Sequence, residues 1–130
     1  MNEKTGLLLI DHGSRKQDAN KVVIEVASLV HKMSNFLIVQ HAHMELAAPS
    51  LQQAFERFVA AGVHNIIVQP YFLAPGRHST LDIPKMVGKI AQKHPKLSIQ
   101  IGAPLGVHRK MAELVLERVR EADKLNLLSK

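Results

Sequence analysis

The sequence predicts an α/β fold, a three-layer sandwich in which a four-stranded parallel sheet has helices on both faces. Four short apolar runs alternate with four segments of helical periodicity along the 130 residues, and this order is typical of parallel strands joined by right-handed helical crossovers. The first three runs lack polar alternation, as strands covered on both faces do. Because no linker, repeat or low-complexity segment interrupts the pattern, we expect one domain over residues 1–130.

The first predicted strand is the continuous apolar run from Gly6 to Ile10. It ends at the polar segment formed by residues 11–15. The helix that follows is predicted by apolar residues at helical spacing, which make one stripe over about four turns: Val22, Val23, Val26, Leu29, Val30 and Met33.

The second unit consists of a strand from Phe36 to Val39 and a helix that starts near Pro49 and stops at Gly62. The third predicted strand, Asn65 to Gln69, is followed by a loop that reaches Ser79. A loop of this length with several Pro and Gly residues is too elaborate for a simple connector. The helix after it is predicted from four apolar positions: Ile83, Met86, Val87 and Ile90.

The last unit begins with an alternating strand, in which Leu97, Ile99 and Ile101 are separated by polar residues. Such alternation is typical of a half-exposed edge strand. The final helix is predicted from apolar residues at helical spacing: Val107, Met111, Leu114 and Val115.

Composition limits the possible functions. Hydrophobic residues make up 46% of the chain and the apolar runs are far too short to cross a bilayer, so we expect a cytoplasmic protein with no membrane partner. Cysteine is absent, which excludes disulfides, thiolate metal sites and an iron–sulfur cluster. The net charge of +6 is scattered, which is typical of an ordinary basic surface. If the charge has a function, aromatic residues of only 4% favour a polycarboxylate ligand over nucleic acid.

The polar residues of chemical interest follow the first three strands, where the carboxyl ends of parallel strands meet at one edge of the sheet. Imidazole and carboxylate side chains suit divalent Fe, Co, Ni and Zn. If the second strand continues, His41, His43 and Glu45 project to one face. The chain contains no glycine-rich nucleotide fingerprint and no nucleophile elbow around Ser14. The three polar segments are Asp11 to Arg15, His41 to Glu45 and Pro75 to Ser79.

These segments resemble the class II chelatases, and most closely the short single-domain sirohydrochlorin chelatases of the CbiX or SirB type. The resemblance covers nearly the whole chain and implies a chelatase-like fold. It implies a lyase that inserts divalent Co²⁺ or Fe²⁺, with Ni²⁺ as a further candidate, into sirohydrochlorin for cobalamin or siroheme biosynthesis. The matching motifs are residues 11–15, residues 42–50, residues 70–79 with 82–84, and residues 102–106.

The resemblance also implies the roles of individual residues. His12, Glu45 and His78 are the implied metal-binding and catalytic residues, and His12 is in addition an implied proton acceptor. The loop from Leu73 to Arg77 is implied to line the macrocycle. Carboxylates on the substrate would suit arginine side chains. We therefore expect substrate contacts from Ser14, Arg15, His43, Leu73, Ala74, Pro75, Gly76, Arg77 and Ser79.

The resemblance further implies a homodimer, for which β2 or an exposed helix face could supply the contact. It implies no permanently bound cofactor, since the metal ion is a substrate. Two alternatives stay open: a non-catalytic metal or tetrapyrrole carrier on the same fold, and a metal-assisted hydrolase using His12, His43 and Glu45. The ligand types do not select among the candidate metals.

Overall fold

The computed structural model describes residues 4–125, apart from the side chains of residues 78, 79, 123 and 125. Strands and helices alternate as the sequence predicts. A five-residue π-helix, His78–Asp82, precedes the third helix. The other elements are β1 (Thr5–Asp11), α1 (Gln17–Met33), β2 (Ile38–His43), α2 (Leu51–Ala60), β3 (Asn65–Pro70), α3 (Ile83–Lys93), β4 (Ser98–Ile101) and α4 (Arg109–Leu125).

The four strands form one parallel sheet in the order β2-β1-β3-β4. The chain moves from β1 outward to β2 and then returns past β1 to β3, so the direction of winding reverses at β1. Ligands of open α/β sheets bind beyond the carboxyl ends of the strands near such a reversal. The predicted α/β fold with a four-stranded parallel sheet is therefore confirmed, and the loops after β1, β2 and β3 lie at the expected edge.

The two faces of the sheet are covered unequally. Leu8 and Ile10 of β1 point into the larger core, where α2 and α3 contribute Phe55, Phe58 and Ile83. On the other face, α1 alone supplies the buried residues that pack against β1: Val23 and Ala27 against Leu7 and Leu9. The alternation along β1 thus fixes which of its residues face each layer.

Two local features position the loops near the site. Ser50 caps α2, because its hydroxyl accepts from the backbone N–H of Gln53 while the Gln53 side chain accepts from Ser50 N. This reciprocal capping box fixes where the β2–α2 loop ends. The π-helix before α3 begins at His78, so the loop after β3 ends two residues earlier than the predicted end at Ser79.

α4 differs from the other helices because none of its described side chains is buried. Its exposed apolar residues are Leu114, Val115, Leu116 and Val119. β4 is an edge strand with Ile101 exposed, in agreement with its alternating sequence. Within residues 4–125, no helix combines the length and apolar character needed to cross a membrane.

Candidate functional site

The carboxyl ends of β1 and β2 bring a histidine and a glutamate together. His12 Nε2 lies 3.6 Å from Glu45 Oε1, and the two side chains are 40% and 57% exposed. An imidazole and a carboxylate at this separation can both reach one divalent ion while solvent still has access to it. The loops after β1 and β2, which were expected at one edge of the sheet, bring these two side chains together in the structure.

Backbone hydrogen bonds past the strand ends fix this geometry. Met44 N donates to Asp11 O at 2.9 Å, and Glu45 N donates to His12 O at 3.1 Å. Gly13 has a φ of 95°, and a Cβ atom at this position would overlap the carbonyl oxygen of Glu45. Gly13 is therefore required both for its backbone conformation and for the close approach of the two loops.

A second pair of side chains, Asp11 and His43, comes just before the first pair in the same two chain segments. Asp11 and His43 are register partners at the ends of β1 and β2, and His43 Nδ1 lies 2.6 Å from Asp11 Oδ1. The His43 side chain is only 1% exposed. β2 ends at His43, so Glu45 belongs to the following loop and not to a strand face shared with His41 and His43. In this structure His43 contacts Asp11 and is not open to a substrate.

His41 lies next to this pair, with its ring centroid 6.0 Å from that of His43. Burial lowers the pKa of His41 below its ordinary value, and the nearby His43 and Arg57 lower it further. His41 is therefore biased toward neutral imidazole. It lines a groove on the α1 side of β2, away from Glu45.

One cavity of about 330 Å³ extends from His12 along the start of α1. Its loop is held by Asn20, a buried residue whose amide oxygen accepts from Ser14 N and whose amide nitrogen donates to Ser14 O. The Ser14 hydroxyl accepts from Lys16 N, so Ser14 shapes the loop in this structure. The remaining cavity wall is mostly apolar and includes Ala19, Val22, Tyr71 and Phe72.

A second cavity, of about 230 Å³, opens on the Glu45 side of the pair. Lys85 and Lys89 line it from successive turns of α3, and Met44 and Met86 supply apolar walls. The sequence interpretation missed both lysines. Their signal was the i, i+4 spacing at the start of the helix that follows the third polar loop.

The third loop is the most open part of the site. Residues 73–77, including Arg77, are exposed, as is Arg15 of the first loop, and Leu73 is 71% exposed. Backbone bonds from Leu105 N to Phe72 O and from Gly106 N to Leu73 O tie this loop to the segment after β4. The side chains of His78 and Ser79 lie outside the described residues, although the backbone of both belongs to the π-helix.

A larger cavity of about 420 Å³ lies at the opposite, amino-terminal edge of the sheet. It is lined by Thr5, Asn65 and Ser98 among others, and contains no histidine or carboxylate. Ligands of parallel sheets bind at the other edge, so we assign the site to the His12 and Glu45 region. Among the side chains described, no three His, Asp or Glu residues are grouped to hold a metal ion.

The fold and the site together define a parallel α/β protein with a half-open His–carboxylate pair at the carboxyl edge of its sheet. The chain belongs to the CbiX family, whose model matches residues 6–122. The resemblance noted in the sequence is thereby confirmed.

The chain is similar in sequence to two curated relatives and in structure to one solved protein. It is 37% identical to the sirohydrochlorin cobaltochelatase of Methanococcoides burtonii, covering 93% of this chain and 98% of the relative. It is 36% identical to the chloroplastic sirohydrochlorin ferrochelatase of Arabidopsis thaliana, covering 92% of this chain and 53% of the relative. The sirohydrochlorin chelatase SirB from Bacillus subtilis subspecies spizizenii, in complex with cobalt, has a TM-score of 0.85 at 25% identity, covering 90% of this chain and 50% of that one.

The chain therefore spans about half the length of the Arabidopsis relative and of the Bacillus structure, but nearly all of the archaeal relative. The family occurs both at the length of this chain and at about twice that length.

Proposed function

We propose that this protein is a sirohydrochlorin chelatase, a lyase that inserts Co²⁺ or Fe²⁺ into the macrocycle, with Ni²⁺ as a further candidate. The observation that carries the proposal is the half-exposed pair of His12 and Glu45 at 3.6 Å. The functions of the two relatives, one a cobaltochelatase and one a ferrochelatase, support the same reaction. Cobalamin or siroheme biosynthesis is the corresponding pathway.

Metal insertion requires residues that hold the ion, accept two pyrrole protons and release the ion to the ring. Neutral imidazole can be a ligand or a base, with an ordinary pKa of about 6.5, so His12 would hold the ion first and could accept one proton after that nitrogen has released the ion to the ring. Glu45 would offset part of the ion's charge and pass protons to solvent. A site with few protein ligands holds the ion weakly enough to release it.

We assign His78 the role of a second metal ligand. Its place at the start of the π-helix supports this, because π-helical turns occur frequently at functional sites. The loop before it, residues 73–77, would line one side of the macrocycle, with exposed Leu73 as an apolar contact. Arg15, Arg77, Lys85 and Lys89 are the proposed partners of the substrate carboxylates, and backbone groups near Ser14 and Ser79 complete the contacts.

The test is metal insertion followed by absorption spectroscopy. Purified protein, present below the concentration of sirohydrochlorin, is incubated with Co²⁺ or Fe²⁺ and compared with a reaction without protein. We expect many turnovers, and we expect His12→Ala and His78→Ala each to remove most of the activity while the protein stays folded. A spectral change limited to one equivalent of protein would identify a carrier instead. Near-normal insertion by either variant would contradict its assigned role.

We also propose that residues 1–130 act as one chelatase domain that pairs with a second copy. Two exposed apolar surfaces support this: the α1 stripe, formed by Val22, Leu29 and Met33, and the α4 face, formed by Leu114, Val115 and Val119. Large exposed apolar surfaces mark interaction sites. This chain covers only about half of the Arabidopsis relative and of the Bacillus structure, and a dimer would reproduce that size without a covalent link.

We propose a cytoplasmic location and no permanently bound cofactor. Fractionation of cells that express the chain tests the first point, and metal analysis of protein purified without added metal tests the second. Recovery in a membrane or organelle fraction, or a stoichiometric metal that survives dialysis, would contradict the respective proposal.

A further inference from the structure

Among the described residues, Asp11 and His43 form a largely buried polar pair. Its two side chains are 17% and 1% exposed, at strand ends whose preceding residues are packed in the apolar core. Replacing a buried pair of this kind with apolar side chains of similar volume is often neutral or stabilising. Stability alone therefore does not account for the pair.

The pair is directly connected to the candidate metal-binding residues. His12 follows Asp11 in the chain, and Glu45 follows His43 by two residues. Beyond the strand ends, Met44 N donates to Asp11 O and Glu45 N donates to His12 O. These two backbone hydrogen bonds extend the β1–β2 contact to the candidate metal-binding residues. The 2.6 Å hydrogen bond between His43 and Asp11 is thus the side-chain link immediately beneath the His12–Glu45 pair.

The chemistry of the two groups determines which of them donates the hydrogen bond. A carboxylate only accepts hydrogen bonds, so His43 Nδ1 carries the hydrogen and its N–H donates the hydrogen bond to Asp11 Oδ1. This bond fixes the tautomer and the ring orientation of His43. The backbone N–H of His43 donates to Pro49 O at 2.9 Å, so the same residue also holds the far end of the β2–α2 loop that contains Glu45.

We propose that Asp11 and His43 form a positioning pair that sets the separation of His12 and Glu45, and that neither touches the metal ion or the macrocycle. The inference rests on the proposed function for the identity of the metal-binding residues. It replaces the expectation that His43 contacts substrate. Residues that orient metal ligands through hydrogen bonds contribute about 10- to 100-fold to metal affinity or activity.

The experiment uses three variants and one control. Asp11→Ala and His43→Phe each remove the hydrogen bond, and the second keeps a buried ring of similar bulk. Asp11→Asn keeps an oxygen that accepts from His43 Nδ1. The control is Ile66→Ala, which creates a cavity in the buried core at the amino-terminal half of β3, far from the site. It is included to separate loss of stability from loss of position.

The principal readout is Co²⁺ binding to the metal-free protein, followed by the visible absorption of the bound ion at a temperature well below every Tm. We expect Asp11→Ala and His43→Phe to weaken Co²⁺ binding by about 10- to 100-fold and to change the absorption band. Asp11→Asn should stay close to the wild type. The double variant Asp11→Ala, His43→Phe should be no worse than either single variant, because the two residues act as a unit.

Several results would overturn the inference. One is wild-type Co²⁺ binding and insertion in Asp11→Ala and His43→Phe, with a Tm loss like that of Ile66→Ala. Another is a defect in His43→Phe alone, which would make His43 a ligand in its own right. The insertion assay of the wild type and His12→Ala tests the proposed function separately. If the wild type inserts no metal, the Co²⁺ titration still decides whether the pair positions the binding residues.

Discussion

Two regions of the molecule differ in how tightly they are held within the fold. They are the carboxyl ends of β1 and β2, and the unit formed by β4 and α4. At the first, a buried hydrogen bond, two backbone bonds and a close approach at Gly13 hold the loops together. At the second, the strand is a half-exposed edge and the helix buries none of its described side chains. The first region is held together by bonds within one chain, whereas the second presents exposed apolar side chains of the kind that often mark interaction surfaces.

The largest expected effect is that of a substitution at Gly13, in the first of these two regions. In Gly13→Ala the added Cβ atom would overlap the Glu45 carbonyl oxygen, so the two loops must separate. We expect a loss of stability beyond the roughly 1–3 kcal/mol that an unfavourable backbone conformation alone costs, together with loss of most metal insertion. Thermal unfolding and the insertion assay measure the two effects.

Gly62→Ala is the matched control for this prediction. Gly62 also has a positive φ, of 76°, but a Cβ atom there would meet no atom within 4 Å. It should lose only the backbone contribution of roughly 1–3 kcal/mol and keep full activity. Equal losses in both variants would mean that the contact with Glu45 has no special importance.

The second prediction tests whether the α4 face needs a partner. Val115→Lys introduces a charge in the middle of that face, and we expect it to shift the dimer-to-monomer midpoint by roughly tenfold or more. Glu117→Lys introduces the same side chain on another side of the helix and should leave association unchanged. Sedimentation at several concentrations measures both. A wild-type protein that is monomeric at working concentrations would contradict the proposed dimer.

The third prediction compares the two ligands of the site. Arg77 is exposed in the loop beside the π-helix, and a hydrogen bond to a charged group contributes about 1.5–3 kcal/mol. We expect Arg77→Ala to weaken sirohydrochlorin binding roughly tenfold and to leave Co²⁺ binding unchanged. Arg120→Ala, at an exposed position of α4, is the control. An unchanged tetrapyrrole titration for Arg77→Ala would remove this residue from the substrate contacts.

Local sequence patterns predicted most of the fold. The apolar runs at Gly6 to Ile10 and Asn65 to Gln69 correspond to β1 and β3, because continuous burial leaves a signal within a few residues. The position of His12 and Glu45 followed from the parallel sheet, in which the loops after successive strands share one edge.

The unpredicted features depend on contacts between distant residues. The bond from His43 to Asp11 spans 32 positions in sequence, and strand register decides it. Nothing local distinguishes His43, which is buried, from His12, which is half-exposed. The exposure of α4 was equally hidden, because its apolar spacing is the same as that of a helix packed on its own sheet.

The smallest expected effect concerns His41, at the edge of the first region. Its pKa is lowered in the folded state by burial and by His43 and Arg57, so the unfolded chain binds more protons between the lowered value and about pH 6.5. Stability is therefore retained above about pH 6.5 and decreases as the pH falls through that window. We expect His41→Gln to lose less Tm than the wild type on acidification from about pH 7.5 to about pH 5.5. His64→Gln, at an exposed position between α2 and β3, should follow the wild type, and equal pH dependence in all three proteins would show that the burial of His41 contributes nothing.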